Sequence, residues 1–176
     1  MSNELRVNDN IIRLMVGFIT DIPDMDGIVY YARPDLALGS GFGTAISIQG
    51  GPKVQEELRK YGSASVTDVV VTGAGNLKTK HILHAVGPRF QEEDEDTKLK
   101  ATILNTLKKA QELKLQKIAF PAMGSGFYGI PLDASARLTL GAARDFLDKV
   151  TEPKEVVFCL RDNRELKAFQ EQLQKM

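Results

Sequence analysis

The run from Lys117 to Val150 constrains this chain more than any other. Lys117-Ile118-Ala119-Phe120 reads as a short buried strand, and Leu132 to Val150 reads as a helix. Between them lies Pro121-Ala122-Met123-Gly124-Ser125-Gly126-Phe127-Tyr128-Gly129-Ile130-Pro131. Three glycines within six residues let the main chain bend tightly and bring its N–H groups to a ligand with no Cβ in the way. Pro131 suits the first turn of the following helix, where no N–H is needed. The positive end of that helix is expected nearby, and backbone donors beside a helix N-terminus form an anion site, most often for phosphate. A loop that only turns the chain would use the same residues, and short glycine motifs recur by chance. The rest of the chain has to decide.

Strands and helices alternate along it. Ile11–Val16 and the nearly continuous apolar run Gly27–Ala32 read as strands, the second covered on both faces. Leu38-Gly39-Ser40-Gly41-Phe42-Gly43 is a second glycine-rich loop leading into a helix, which Gly50-Gly51-Pro52 interrupts. Val66–Thr72 and Lys80–Val86 are further strands, and Ala101, Leu104, Leu107, Ala110 and Leu113 form the buried stripe of a helix. Glu155–Leu160 is the last strand and Asn163–Lys175 the last helix. Residues 1–10 are polar and are expected to form a flexible N-terminus to one domain spanning 1–176. The alternation implies an α/β architecture. In such sheets ligands bind outside the carboxyl ends of the strands, where two glycine loops can grip an extended phosphate ligand.

Composition narrows the function. Lys+Arg and Asp+Glu are 23 each, so no global field favours bulk nucleic-acid binding or an anionic membrane. The one cysteine, Cys159, lies in an apolar strand and reads as packing rather than as a nucleophile. Two histidines, His81 and His84, share a strand, and with no further His and a single Cys the chain lacks the residues to complete a zinc site, so no metal is expected. The absence of a leader or a bilayer-length apolar run makes a cytoplasmic location the expectation.

The order of segments resembles the macro domain family. Gly17-Phe18-Ile19-Thr20 is similar to its Gly-Asp-Ile-Thr opening, and Asp26-Gly27-Ile28-Val29-Tyr30-Tyr31-Ala32-Arg33 to its Asp-Ala-Ile-Val-Asn-Ala-Ala-Asn. Gly39–Ile46 resembles its first glycine loop, and His81–Pro88 its Ile-Ile-His-Thr-Val-Gly-Pro strand. Phe120–Gly129 follows its Pro-Ala-Ile-Gly-Ser-Gly-Ile-Tyr-Gly phosphate loop. The resemblance implies a three-layer α/β/α sandwich with a central mixed, mostly parallel sheet. It implies ADP-ribose as ligand, free or attached to a protein, with no cofactor. Gly124, Ser125, Gly126, Phe127 and Tyr128 would hold the diphosphate and distal ribose, and Gly39, Ser40, Gly41 and Phe42 would cover the diphosphate. Ile19 would line the adenine pocket, with residues near Leu160, Arg161 and Asp162 flanking the base.

The sequence departs from the family pattern inside the site. The adenine-reading Asp falls on Phe18, which either stacks on a base or packs in the core; base rates favour the core. The two family asparagines fall on Tyr30 and Arg33, and the Asp of its hydrolases falls on Gly43. Arg33 cannot serve as a general base but can pair with phosphate. It either faces a ligand with an extra anionic group near the distal ribose or pairs on the surface with an acid such as Asp35. Asp21 and Arg33 are the remaining catalytic candidates. Three functions stay open: a binding module for ADP-ribose or a related nucleotide, a hydrolase of ADP-ribosylated acceptors or ADP-ribose phosphate with an unusual base, and a scaffold with a degenerate pocket.

Overall fold

In the computed structural model, which describes residues 1–39 and 41–176, seven strands form one sheet in the order β1-β2-β7-β6-β3-β5-β4. The strands are β1 Glu4–Val7, β2 Asn10–Val16, β3 Gly27–Ala32, β4 Val69–Gly73, β5 His81–Val86, β6 Lys117–Phe120 and β7 Glu155–Leu160. The five strands β2, β7, β6, β3 and β5 run parallel, and the edges β1 and β4 pair antiparallel to their neighbours. The sheet is therefore mixed and mostly parallel, as the family resemblance implied.

Period-two alternation sorts the strand side chains into two cores. In β3, Val29 and Tyr31 face one side, while Ile28, Tyr30 and Ala32 face the other. In β7, Val156, Phe158 and Leu160 share the first side, and Val157 and Cys159 the second. The first side is covered by the helices α3 (Glu95–Glu112), α4 (Leu132–Leu147) and α5 (Asn163–Gln174), through residues such as Leu99, Ile103, Leu140 and Phe169. The second side is covered by α1 (Phe42–Gly50) and α2 (Pro52–Tyr61), through Ile46, Val54 and Leu58. This is an α/β/α sandwich. Burial on both faces explains why the parallel strands read as continuous apolar runs.

The N-terminus differs from the sequence expectation. Glu4–Val7 is an edge strand rather than a loose tail, and Val7 is buried in the core. Asn8 and Asp9 make a two-residue turn, with Asn8 at φ 55°, a conformation asparagine tolerates. Buried Asn10 then donates to the carbonyls of Leu147 and Val150 at 3.2 and 2.9 Å, anchoring the hairpin to the end of α4.

His84 is fully buried in β5, its Nε2 lying 2.9 Å from Thr72 Oγ1. Burial pushes its pKa from 6.5 down to about 3. Above pH 6.5 the ring is neutral in both folded and unfolded chains and contributes no pH dependence. Below that value the unfolded chain takes up a proton that the folded chain refuses, so stability falls as pH falls toward 3. At pH 5 the loss is about 2 kcal/mol. The thermal midpoint, followed by circular dichroism from pH 7 to pH 4.5, should therefore drop more steeply for the parent than for His84→Asn. Parallel slopes would show that His84 is not held neutral.

Candidate functional site

Four neighbouring parallel strands, β2, β7, β6 and β3, deliver their carboxyl-end loops to one row. Those loops enclose a crevice of about 500 Å³. Three inter-strand steps make it roughly 14 Å across, long enough for a nucleotide rather than a lone phosphate. Gly17, Phe18, Ile19 and Thr20 line it from β2, and Cys159, Arg161 and Glu165 from β7. Pro121, Ala122 and Gly124 to Tyr128 line it from β6. Tyr30, Tyr31, Arg33, Gly39, Gly41, Phe42 and Ala45 complete it from β3 and the start of α1. Ser40, also expected on this wall, lies outside the described residues.

Both glycine loops present main-chain donors. The N–H groups of Gly124, Gly126, Phe127, Gly41 and Phe42 donate to no backbone carbonyl among the described residues. Residues Gly126–Tyr128 form a single 3-10 turn, whose first N–H groups have no partner of their own. Gly124 has φ +79°, and a Cβ there would lie 2.5 Å from Ile130 Cδ1, so no other residue fits without movement. The helix start that reaches the crevice is that of α1, whose Gly41, Phe42 and Ala45 line it. The expectation that α4 supplies the positive end is corrected: the 3-10 turn and Pro131 intervene, and no residue of α4 is in the wall.

The substituted positions neither fill nor plug the space. Phe18 is 75% exposed at the rim, not core as base rates favoured, because the short Ile19–Asp21 turn tucks Ile19 and Thr20 inward instead. Phe127, 81% exposed, is a second rim aromatic. Tyr30 is buried in the wall and packs edge-on against Phe42 at 5.2 Å. Burial, with a smaller push from Tyr128, raises its pKa to about 12, so it stays a neutral hydroxyl. Tyr31 also lines the crevice, donates its hydroxyl hydrogen to the Pro88 carbonyl and meets Tyr128 edge-on at 4.7 Å. Both tyrosines of β3 therefore reach the site although they leave the strand on opposite faces.

Arg33 makes the surface pair weighed from the sequence and also stands in the crevice wall. Its guanidinium pairs with Asp35 at 2.7 Å, and its side chain lies against Gly39 in the crevice wall, 45% exposed. Asp21 ends the 3-10 turn, exposed and outside the wall. Asp162 caps α5 by accepting from the Glu165 N–H at 2.9 Å. Cys159 and Glu165 line the wall although neither carried a site expectation. Cys159 is 3% exposed, and burial with the nearby charge of Glu165 pushes its thiol up to about 11, which keeps it protonated and inert. Glu165 is the one carboxylate in the wall among the described residues. Its sequence signal was the Asp162-x-x-Glu165 spacing of a helix capping box, which says nothing of a crevice.

A family profile described as "Macro domain" matches residues 32–139. The chain belongs to the macro domain family. It is 38% identical over 164 residues to a macro domain-containing protein of Caldanaerobacter subterraneus, covering 90% of this chain and 93% of that one. It is 34% identical to an O-acetyl-ADP-ribose deacetylase of Escherichia fergusonii, covering 90% and 92%. Among solved structures, an Oceanobacillus iheyensis macrodomain with ADP superposes with TM-score 0.92 at 26% identity, over 98% of this chain and 94% of that one. A Trypanosoma brucei macrodomain in complex with ADP-ribose superposes with TM-score 0.86 at 26% identity, over 92% and 68%.

Gly43 has no room for a side chain in this macro domain. A Cβ on Gly43 would lie 2.2 Å from the Leu38 carbonyl oxygen and 2.6 Å from Tyr30 Oη. The Leu38 carbonyl and the Tyr30 hydroxyl together fill the space that a side chain at 43 would need. Gly43→Ala should cost about 2 kcal/mol or more in urea unfolding, and Tyr30→Phe should not rescue it because the Leu38 carbonyl remains in the way. A Gly43→Ala variant as stable as its parent would show that this contact is wrongly described.

Proposed function

We propose that this macro domain binds ADP-ribose, or a nucleoside diphosphate ribose close to it, with the diphosphate between the two glycine loops. The observation that carries the reading is the set of unpaired main-chain N–H groups from both loops around one open crevice. Such donors suit phosphate oxygens in the absence of a basic patch, because partial positive charge is concentrated where the anion sits. The reading is supported by the ADP and ADP-ribose complexes of the two solved relatives. The base lies toward β2 and β7, over Ile19 and beside Phe18, and the distal ribose lies toward β3, near Tyr30, Tyr128 and Arg33.

Binding rather than turnover fits the ribose end. No carboxylate is in the wall there among the described residues, Gly43 offers no side chain, and the Arg33 guanidinium has donors but no acceptor. Asp21 lies outside the crevice and would have to move to act as a base. Hydrolysis keeps one argument, the relative named as a deacetylase, and release of ADP-ribose from an acetylated or protein-linked form would reveal it. A degenerate scaffold fits poorly, since Phe18, Tyr30 and Arg33 leave about 500 Å³ open.

Calorimetry and thermal unfolding with ADP-ribose test the reading. A ligand at a hundred times its Kd adds about 2.7 kcal/mol, a rise in thermal midpoint of roughly 5–10 °C for a domain of this size. No rise with ADP-ribose or ADP at millimolar concentration would overturn it. Arg33 refines the prediction. Arg33→Ala should weaken an ADP-ribose carrying a terminal phosphate on its distal ribose about tenfold more than plain ADP-ribose. Equal losses for both ligands would leave Arg33 a surface partner of Asp35.

A further inference from the structure

The crevice wall holds an arginine that is fixed through one nitrogen and leaves the rest of its fork unused. Arg161 follows β7 directly and lines the crevice, its side chain 65% exposed. Its Nε donates to Glu165 Oε1 at 3.1 Å, and the Glu165 side chain is 2% exposed. The same oxygen accepts from the Arg161 backbone N–H at 3.4 Å, so one buried carboxylate holds both the main chain and the side chain of the arginine. Nη1 and Nη2 make no hydrogen bond or ion pair among the described residues. Nη2 reaches across to the β6 loop, 3.8 Å from the point that a Cβ on Gly126 would occupy. The N–H groups of Gly126 and Phe127 in that loop donate to no backbone carbonyl among the described residues. A charged fork and two main-chain donors therefore stand side by side at the boundary between β7 and β6.

The order of the strands says which part of the ligand crosses this boundary. With the base toward β2 and β7 and the diphosphate between the β6 and α1 loops, the adenosine ribose that joins them passes from β7 to β6. A bare ribose offers a guanidinium only hydroxyl groups. Two terminal nitrogens in one plane match the oxygens of a phosphate instead. Dinucleotide sites of another fold use a nearby arginine in this way to accept a 2′-phosphate. Because Arg161 stands largely exposed, a phosphate reaches it from the open mouth of the crevice.

We propose that Arg161 forms a second anion subsite, which takes a phosphate on the 2′ position of the adenosine ribose. The ligand class is then a 2′-phosphorylated ADP-ribose. This rests on the nucleotide reading above. The subsite is separate from Arg33, which stands at the β3 end of the row beside Asp35.

Calorimetry with ADP-ribose and with its 2′-phosphate tests the assignment. The parent should bind the 2′-phosphorylated ligand roughly tenfold more tightly, and the margin should shrink as salt is raised. Arg161→Gln should weaken the 2′-phosphorylated ligand about tenfold more than it weakens ADP-ribose. Removing the arginine leaves Glu165 buried without its charged partner, a loss that can unfold the variant. The double variant Arg161→Gln/Glu165→Gln removes both charges and should lose the margin in the same way. Equal affinity of the parent for the two ligands, or tighter binding of plain ADP-ribose, overturns the assignment whether or not either variant folds. A margin that survives in the glutamine variants, or an equal loss for both ligands, also overturns it. Binding of neither ligand by the parent is a different result. It removes the nucleotide reading itself, and this subsite with it.

Discussion

The parallel pairing of β2, β7, β6 and β3 is the constraint on which the site depends. Parallel neighbours end at the same edge, so four loops that are distant in sequence come to stand side by side. Their hydrogen-bonded register leaves little freedom in where each loop begins. A crevice built this way is preformed. Its donors are main-chain N–H groups held by turns, and little side-chain entropy is lost when an anion is bound.

The chemistry of the crevice is graded along the row. At the β6 and α1 loops the wall includes main-chain N–H groups that donate to no backbone carbonyl among the described residues. At the β3 end it carries two buried tyrosines and an ion-paired arginine, groups that bind and orient but do not readily take up a proton. At the β2 and β7 end it carries the Arg161–Glu165 ion pair among apolar groups. A site that needs a general base near the ribose would place its acid at the opposite end of this row from Glu165. The Leu38 carbonyl and the Tyr30 hydroxyl beside Gly43 make that vacancy part of the fold rather than a single lost side chain.

Much of this was legible in the sequence because it rests on local rules. The strand–glycine loop–helix units, the covered parallel strands and the two facing loops follow from apolar runs and glycine spacing. What was not legible depends on contacts across the sheet. Residues 4–7 are polar enough to read as a tail, but pairing with β2 and the anchoring of Asn10 make them a strand. Phe18 looks like core by composition, yet the turn that follows it buries its neighbours instead. Glu165 looks like part of a helix-capping pattern; that it is buried in the crevice wall follows only from α5 starting where β7 ends. The N-terminus of α4 was misjudged because the 3-10 turn that displaces it carries no distinct signal.

The most direct measurement is an amide-resolved nuclear magnetic resonance titration with ADP-ribose. The account predicts that the N–H signals of Gly126, Phe127 and Tyr128 move together with those of Gly41 and Phe42, saturating at one ligand concentration. Movement confined to a single loop, or centred on the groove by Glu57 and Tyr61 at the other edge of the sheet, would contradict it.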